Sequence, residues 1–75
     1  MRVDDDVLKD MLFQDKIFWT AVDTWGPGPV YSRIEEFVSD LTFQIKNLNG
    51  SEKWRRSVTA LIIRGKNRLR ELEGR

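Results

Sequence analysis

Ser51 to Leu72, with the sequence SEKWRRSVTALIIRGKNRLREL, is the stretch that decides the fold. Its apolar residues recur at steps of three and four, the spacing that places side chains on one face of an α-helix. This apolar seam consists of Trp54, Val58, Leu61, Ile62, Gly65, Leu69 and Leu72. The same stretch carries the basic residues Lys53, Arg55, Arg56, Arg64, Lys66, Arg68 and Arg70. We therefore expect one long helix that supplies both a core-facing seam and most of the positive charge.

A second amphipathic helix is predicted over about residues 32–48. Its start, Ser32-Arg33-Ile34-Glu35, has the spacing of a capping box. Its end is Asn49-Gly50-Ser51, where the glycine suits the left-handed conformation that follows many helices and the serine suits the next N-cap. A turn this short, before a helix over about 51–73, predicts a long antiparallel helical hairpin. Its apolar face comprises Ile34, Phe37, Val38, Leu41, Ile45 and Leu48.

The stretch Gly26-Pro27-Gly28-Pro29 is predicted to be a stiff elbow that no helix crosses. Proline lacks a backbone N–H, and the residue before each proline is disfavoured in the helical conformation. The chain on its N-terminal side, about residues 4–25, is then expected to cover the hairpin. Asp4-Asp5-Asp6 suits a helix start, because carboxylates are favoured near free backbone N–H groups.

Two arrangements of residues 4–25 are compatible with the pattern. One helix could run to Trp25, but it would place Asp15 in the middle of its apolar face. A break at Gln14, with Asp15 as the cap of a second helix, leaves a clean stripe and is the arrangement we favour. In that arrangement Trp19 lies off the stripe and is the tryptophan we expect to be exposed. The stripe comprises Ile17, Phe18, Ala21, Val22 and Trp25.

These patterns predict an all-α fold, a small bundle of three to four helices formed by one domain over residues 1–75. The hydrophobic share of 40% is too high for a disordered chain. The longest apolar run, Ala60-Leu61-Ile62-Ile63, is far too short to span a membrane. The acidic N-terminus does not resemble a signal peptide. We therefore expect a cytoplasmic protein with no membrane partner.

The net charge of +1 conceals an asymmetry along the chain. Residues 1–50 contain five basic and nine acidic residues, a net charge of −4. Residues 51–75 contain eight basic and three acidic residues, a net charge of +5. Such halves can attract each other within one chain or between two copies, and a basic surface can also attract a polyanion.

Catalysis and cofactor binding are poorly supported by the residue types. The chain has no histidine and no cysteine, and no serine has a local partner that would activate it. Asp4-Asp5-Asp6 with Asp10 lacks the spaced oxygen ligands and the glycine turn of a calcium loop. Neither standard glycine-rich phosphate loop is present. We expect no catalytic residue, no cofactor, no metal and no small-molecule substrate.

Two apolar residues fall on the wrong side of their helices. Phe43 lies opposite the apolar face of the first hairpin helix, near the acidic residues Glu36 and Asp40. Ile63 lies opposite the seam of the second, near the basic residues Arg56, Lys66 and Arg70. Isolated exposed apolar residues are common. However, the charges of opposite sign favour a contact with another chain, in which Phe43 of one copy meets Ile63 of a second copy.

The function that we expect is non-enzymatic protein binding. The partner is either a second copy, which would make a homodimer, or a larger protein that this chain modulates or inhibits. Small modulators of this kind occur among phage and mobile-element products, an analogy from size alone. The predicted partner-binding residues are Phe43, Ile63, Arg56, Lys66, Arg70, Glu36, Asp40 and Trp19. The alternative is a small DNA- or RNA-binding regulator that uses the basic face of the C-terminal helix.

Overall fold

The computed structural model describes residues 4–74, which form four α-helices and no strand. Helices α3 and α4 form the predicted long hairpin, while α1 and α2 cover one face of it. The predicted all-α bundle is therefore confirmed. The helices are α1 (Asp5–Phe13), α2 (Asp15–Trp25), α3 (Pro27–Asn47) and α4 (Glu52–Glu73).

Three cross-hairpin contacts fix the register of α3 against α4. Residue numbers rise along one helix as they fall along the other, so the two helices are antiparallel. The contacts are Arg55 Nη1 to Ile45 O at 3.4 Å, Gly65 against the Cγ2 of Val38, and Tyr31 Oη to Glu73 Oε1 at 2.7 Å.

The buried glycine of α4 brings the two hairpin helices close together. A Cβ at Gly65 would overlap Val38 Cγ2 and would also lie 3.7 Å from Ile34 Cγ2. Because glycine has no side chain, α3 can approach α4 closely at this point. Gly65 has no apolar side chain of its own, but its backbone packs against α3 as part of the apolar seam.

The start of α4 is as predicted, and the end of α3 is not. Ser51 Oγ accepts a hydrogen bond from Trp54 N at 3.1 Å, which makes Ser51 the N-cap. The prediction that Gly50 adopts the left-handed conformation is wrong. Among the described residues, Gly26 alone has a positive φ. Helix α3 instead ends with Leu48 in an extended conformation. A Cβ at Gly50 would overlap the ring of Trp54, so close packing is what requires glycine there.

The start of α3 also differs from the prediction. The helix begins at Pro27, so Ser32 lies inside it and forms no capping box with Glu35. The turn is Gly26 alone, whose φ of 92° separates α2 from α3. Prolines fit the first turn of a helix, because the N–H groups they lack have no intrahelical acceptor there. Gly28 stays helical before Pro29, since it has no Cβ to clash with the proline ring.

The break between α1 and α2 is confirmed, and the single-helix alternative is wrong. Gln14 is extended, with φ −126° and ψ 111°, and it separates the two helices. It is Gln14 and not Asp15 that occupies the N-cap position of α2, and its side chain makes no capping hydrogen bond. Asp15 instead pairs with Arg68 of α4.

The core lies between the hairpin and the two short helices. The seam of α4 faces it as predicted, with Trp54, Leu61, Ile62 and Leu69 partly buried around Val58 and Leu72. Leu48 departs from the predicted apolar face and is 53% exposed, because α3 has ended before it. The buried apolar residues are Leu8, Met11, Leu12, Phe18, Ala21, Val22, Val30, Ile34, Phe37, Val38, Leu41, Val58 and Leu72.

Candidate protein-binding surface

Most of the predicted partner-binding residues lie on the sides of α3 and α4 that point away from the core. Phe43 of α3 is 67% exposed and Ile63 of α4 is 54% exposed. The expectation that both point away from the core is confirmed. We call these exposed sides of the two helices together the outer face. Its residues are Glu36, Asp40 and Phe43 on α3, with Arg56, Thr59, Ala60, Ile63, Lys66 and Arg70 on α4.

A shallow, open depression lies on the exposed side of α4 and is lined by residues of that helix alone. It has a volume of about 390 Å³. Ala60, with its small side chain, leaves the groove open, and Ile63 lies at one end. At the other end Arg56 Nη2 is 2.8 Å from Glu52 Oε1, an exposed ion pair one helical turn apart. We call this the α4 groove, and its lining residues are Glu52, Arg55, Arg56, Thr59, Ala60 and Ile63.

The predicted charges are separated between the two helices of the outer face. Glu36 and Asp40 are exposed on α3, and Arg33 Nη1 lies 4.0 Å from Glu36 Oε1. Lys66 and Arg70 are exposed on α4. Because Val38 of α3 faces Gly65 of α4, Glu36 and Asp40, each two residues from it, lie on the side of α3 turned away from α4.

The register of the hairpin decides which outer-face residues lie at the same height. Val38 lies beside Gly65, and Ile45 O accepts from Arg55. Residue numbers therefore increase in opposite directions along the axes of α3 and α4. Glu36 then lies level with Lys66, and Phe43 lies level with Thr59 in the α4 groove. Within one chain the structure places Phe43 and Ile63 on different helices and at different heights.

Trp19 is the predicted partner-binding residue that lies away from the outer face. It belongs to α2, on the covered side of the hairpin, and it is partly buried instead of exposed. Its ring centroid lies 4.6 Å from that of Phe18 in an edge-to-face arrangement. The expectation of an exposed Trp19 is wrong, because Trp19 packs against the hydrophobic core beside Phe18.

Arg68 differs most clearly from its expected position. It is one of the basic residues of α4 outside the predicted apolar seam, yet it is 5% exposed. Its Nε donates to Met11 O at 3.1 Å, and its Nη1 lies 2.8 Å from both Asp15 Oδ1 and Glu71 Oε2. Its guanidinium carbon is 4.5 Å from the ring centroid of Phe18. The spacing of Arg68 from Gly65 and Leu72, three and four residues along the seam, was the available signal.

The charge state of Arg68 is set by two opposing effects. Burial lowers its pKa by penalising the charged form, but the hydrogen bonds to Glu71 and Asp15 stabilise the cation and raise it. The net effect is a pKa above the ordinary value, so Arg68 stays charged. It therefore acts as a fixed cation that joins α4 to the junction between α1 and α2.

Several basic residues of α4 are engaged within the chain. Arg68 is buried, and Arg64 lies over the ring of Phe13 at 5.2 Å from its centroid. Arg55 donates to a backbone carbonyl and Arg56 pairs with Glu52. Of the seven basic residues from Lys53 to Arg70, these four therefore have described intramolecular contacts.

Two further depressions lie outside the outer face. One, of about 330 Å³ between α1 and α2, is mainly apolar and is lined by Val7, Lys16, Ile17, Thr20, Ala21, Thr24 and Trp25. The other, of about 340 Å³, lies between α1 and the loop end of the hairpin and is lined by Asp5, Lys9, Phe37, Leu41, Gln44, Trp54, Ser57, Val58 and Leu61. Neither contains a residue of the predicted partner-binding set.

Metal ligands do not cluster in the described part of the chain: residues 4–74 contain no group of three or more His, Cys, Asp or Glu side chains placed to hold an ion. Of the four helices described, none has both the length and the apolar character needed to cross a bilayer.

No protein-family model matches the chain, and neither a curated protein nor a solved structure is significantly similar to it.

Proposed function

We propose that this protein is a non-enzymatic protein-binding module whose contact surface is the outer face of the hairpin. The observation that carries the proposal is the exposure of Phe43 and Ile63, at 67% and 54%, with acidic residues near Phe43 on α3 and basic residues near Ile63 on α4. A few buried anchors, many of them aromatic, supply most of the energy of a protein contact. Surrounding charges of defined sign select the partner and its orientation.

The other exposed apolar residues of the described chain have local explanations. Phe13, at 50% exposure, lies under the guanidinium of Arg64. Leu48 is the residue at which α3 ends, so its side chain has no helical neighbour beyond it. Phe43 has neither explanation: it lies in the last two turns of a regular helix and belongs to no described ring contact. That difference supports a role for Phe43 in binding.

The α4 charge pattern supports a protein partner over a nucleic acid. Phosphate binding draws on exposed cations that are free to replace counterions. On α4, one arginine is buried and three others already contact groups of the same chain. The DNA- or RNA-binding alternative and the cytoplasmic location stay predictions. A low-salt gel shift on random duplex DNA tests the first, and we expect no shift.

Affinity capture with matched variants tests the proposed function. Tagged wild-type protein is expected to retain at least one polypeptide, either an untagged copy of itself or a different protein from a lysate of the source cells. Phe43→Ser combined with Ile63→Ser is expected to lose that polypeptide. Phe13→Ser is the control, because it removes an apolar side chain that is 50% exposed and lies away from the outer face.

The result is read by quantitative mass spectrometry of the retained proteins. Circular dichroism of each variant verifies that the helices remain. If the double variant and the Phe13→Ser control retain the same proteins as the wild type, the outer face is not a binding surface and the proposal fails.

A further inference from the structure

We propose that the depression between α1 and the loop end of the hairpin binds a small aromatic carboxylate. This site shares no residue with the outer face, so the proposal is independent of the proposed function. It follows from the short length of α1, from the apolar walls of the depression and from the lysine at its rim. Its lining residues come from three helices, whereas six of the seven residues that line the depression between α1 and α2 belong to α2.

The depression lies where α1 stops covering the hairpin. At a rise of about 1.5 Å per residue, the nine residues of α1 extend about 13 Å, and the 21 and 22 residues of α3 and α4 extend more than about 30 Å. The apolar faces of α3 and α4 therefore continue past α1 toward the loop. The floor of the depression is the core itself, because Phe37, Leu41 and Val58 line it at 7%, 8% and 5% exposure.

The walls suit a flat aromatic ring. Trp54 and Phe37 offer aromatic surface, and Leu61 adds aliphatic surface beside them. The ring of Trp54 is held in place, because it packs so closely on Gly50 that a Cβ there would overlap it. A wall that is fixed before binding lowers the cost of ordering the site. The volume of about 340 Å³ falls within the range of small-molecule pockets.

The rim of the depression carries a cation that can bind an anionic group. Asp5 and Lys9 lie one turn apart on α1, and both line the depression. Arg33 Nη2 lies 2.6 Å from Asp5 Oδ1, so the carboxylate of Asp5 already has a cation. Among the described residues, no ion pair includes Lys9. A carboxylate on the ligand can therefore pair with Lys9 while its ring lies against the apolar walls.

Two uncharged polar residues complete the lining and narrow the class of ligand. The amide of Gln44 can donate to a carboxylate oxygen, and the hydroxyl of Ser57 donates to Lys53 O at 3.1 Å, which leaves its oxygen to accept. A few polar groups around an apolar floor fix the orientation of a small ligand. One lysine matches a single carboxylate and is too little positive charge for a polyanion.

Nuclear magnetic resonance titration of isotope-labelled protein tests the site, with phenylpropionate as the probe. Saturable shifts are expected at the backbone amides of Lys9, Gln44 and Ser57. Phenylpropionamide has the same ring without the charge, so it is expected to bind about 3- to 5-fold more weakly. Propionate has the charge without the ring, and no saturable shift is expected from it.

Three variants separate this site from non-specific binding. Lys9→Gln is expected to weaken phenylpropionate binding about 3- to 5-fold and to leave phenylpropionamide binding unchanged. Lys16→Gln is the matched control, because it removes an exposed lysine of the depression between α1 and α2, and it should change neither. Ser57→Trp is expected to fill the depression and weaken both probes at least about 10-fold. Ser57 is exposed, and circular dichroism verifies that the helices remain.

The absence of saturable shifts at the lining amides with millimolar phenylpropionate would overturn the proposal. Equal affinity of phenylpropionate and phenylpropionamide would overturn it too, as would equal losses of affinity from Lys9→Gln and Lys16→Gln. Each of these variants keeps Phe43 and Ile63. Affinity capture with them therefore tests the proposed function separately, and either proposal can fail while the other stands.

Discussion

Arg68 of α4 donates from its Nε to the backbone oxygen of Met11, 57 residues earlier in the chain, at 3.1 Å. In a continuous helix that oxygen would accept from the N–H of Asp15. The extended Gln14 removes this donor, and the guanidinium replaces it. The same guanidinium binds the carboxylate of Asp15. The buried guanidinium thus supplies the hydrogen-bond donor that Met11 O lacks at the end of α1. Its ion pair with Asp15 also links the start of α2 to α4.

Arg68→Met is expected to lower the free energy of unfolding by about 2 kcal/mol. The methionine fills most of the space beside Phe18 but leaves Met11 O without its donor, and buried unsatisfied groups cost ~1–3 kcal/mol. The exposed Asp15 is simply rehydrated, which keeps the loss below that of a fully buried pair. Urea unfolding followed by circular dichroism measures the change. Lys53→Met, at an exposed site of the same helix, should change stability by less than ~0.5 kcal/mol.

Gly65→Ala is expected to destabilise the protein by ~1–3 kcal/mol although alanine favours helices. The new methyl group would overlap Val38 Cγ2 and push α3 from α4. A double variant provides the test of this cause. Val38→Ala removes the overlapping atom, so Gly65→Ala should cost much less in that background. Equal costs in the two backgrounds would show that helix contact at Gly65 is not the reason.

Ser51→Ala is expected to cost about 1 kcal/mol, since Ser51 Oγ accepts from Trp54 N at the start of α4. Ser57→Ala is the matched control in the same helix. The Ser57 hydroxyl donates to Lys53 O, an oxygen that already accepts a hydrogen bond from the helix backbone. Removing the hydroxyl should therefore change stability very little. Thermal unfolding of both variants measures the difference. The assignment of the N-cap would be refuted by equal effects.

Tyr31 is expected to titrate above its ordinary pKa. Its hydroxyl donates to Glu73 Oε1 at 2.7 Å, and this hydrogen bond to the neutral form, aided by burial and the carboxylate charge, raises the pKa of Tyr31. The folded pKa then exceeds the unfolded one, so the stabilisation is present below about pH 10 and is lost as the pH rises through the folded pKa. The change in near-ultraviolet absorbance on tyrosine ionisation measures this group alone, because the chain has one tyrosine and its three tryptophans do not ionise. Glu73→Gln should lower the pKa.

Periodicity predicted the hairpin and the break at Gln14 because both follow from side chains facing one core. Local rules failed where tertiary packing decides the conformation. Gly50 is required by the ring of Trp54, not by its φ, and no local pattern contains that contact. Proline signalled an interruption, yet Pro27 fits the first turn of α3, so the helix begins five residues before the predicted Ser32.

The sequence could predict which residues of the candidate site are exposed, because exposure follows from the side of the helix on which a residue lies. Phe43 and Ile63 are exposed as their positions on the helices predicted. The α4 groove was not predictable, because it forms only where the small Ala60 lies between larger side chains on the folded helix. Arg68 was grouped by its charge with exposed cations, although its position in the seam indicated burial.

The central claim is that the exposed Phe43 of α3 and Ile63 of α4 contact another polypeptide. Affinity capture followed by quantitative mass spectrometry tests it most directly. Wild-type protein is expected to retain a polypeptide that the Phe43→Ser and Ile63→Ser double variant loses and that the Phe13→Ser control keeps. Equal retention by all three proteins would contradict the claim.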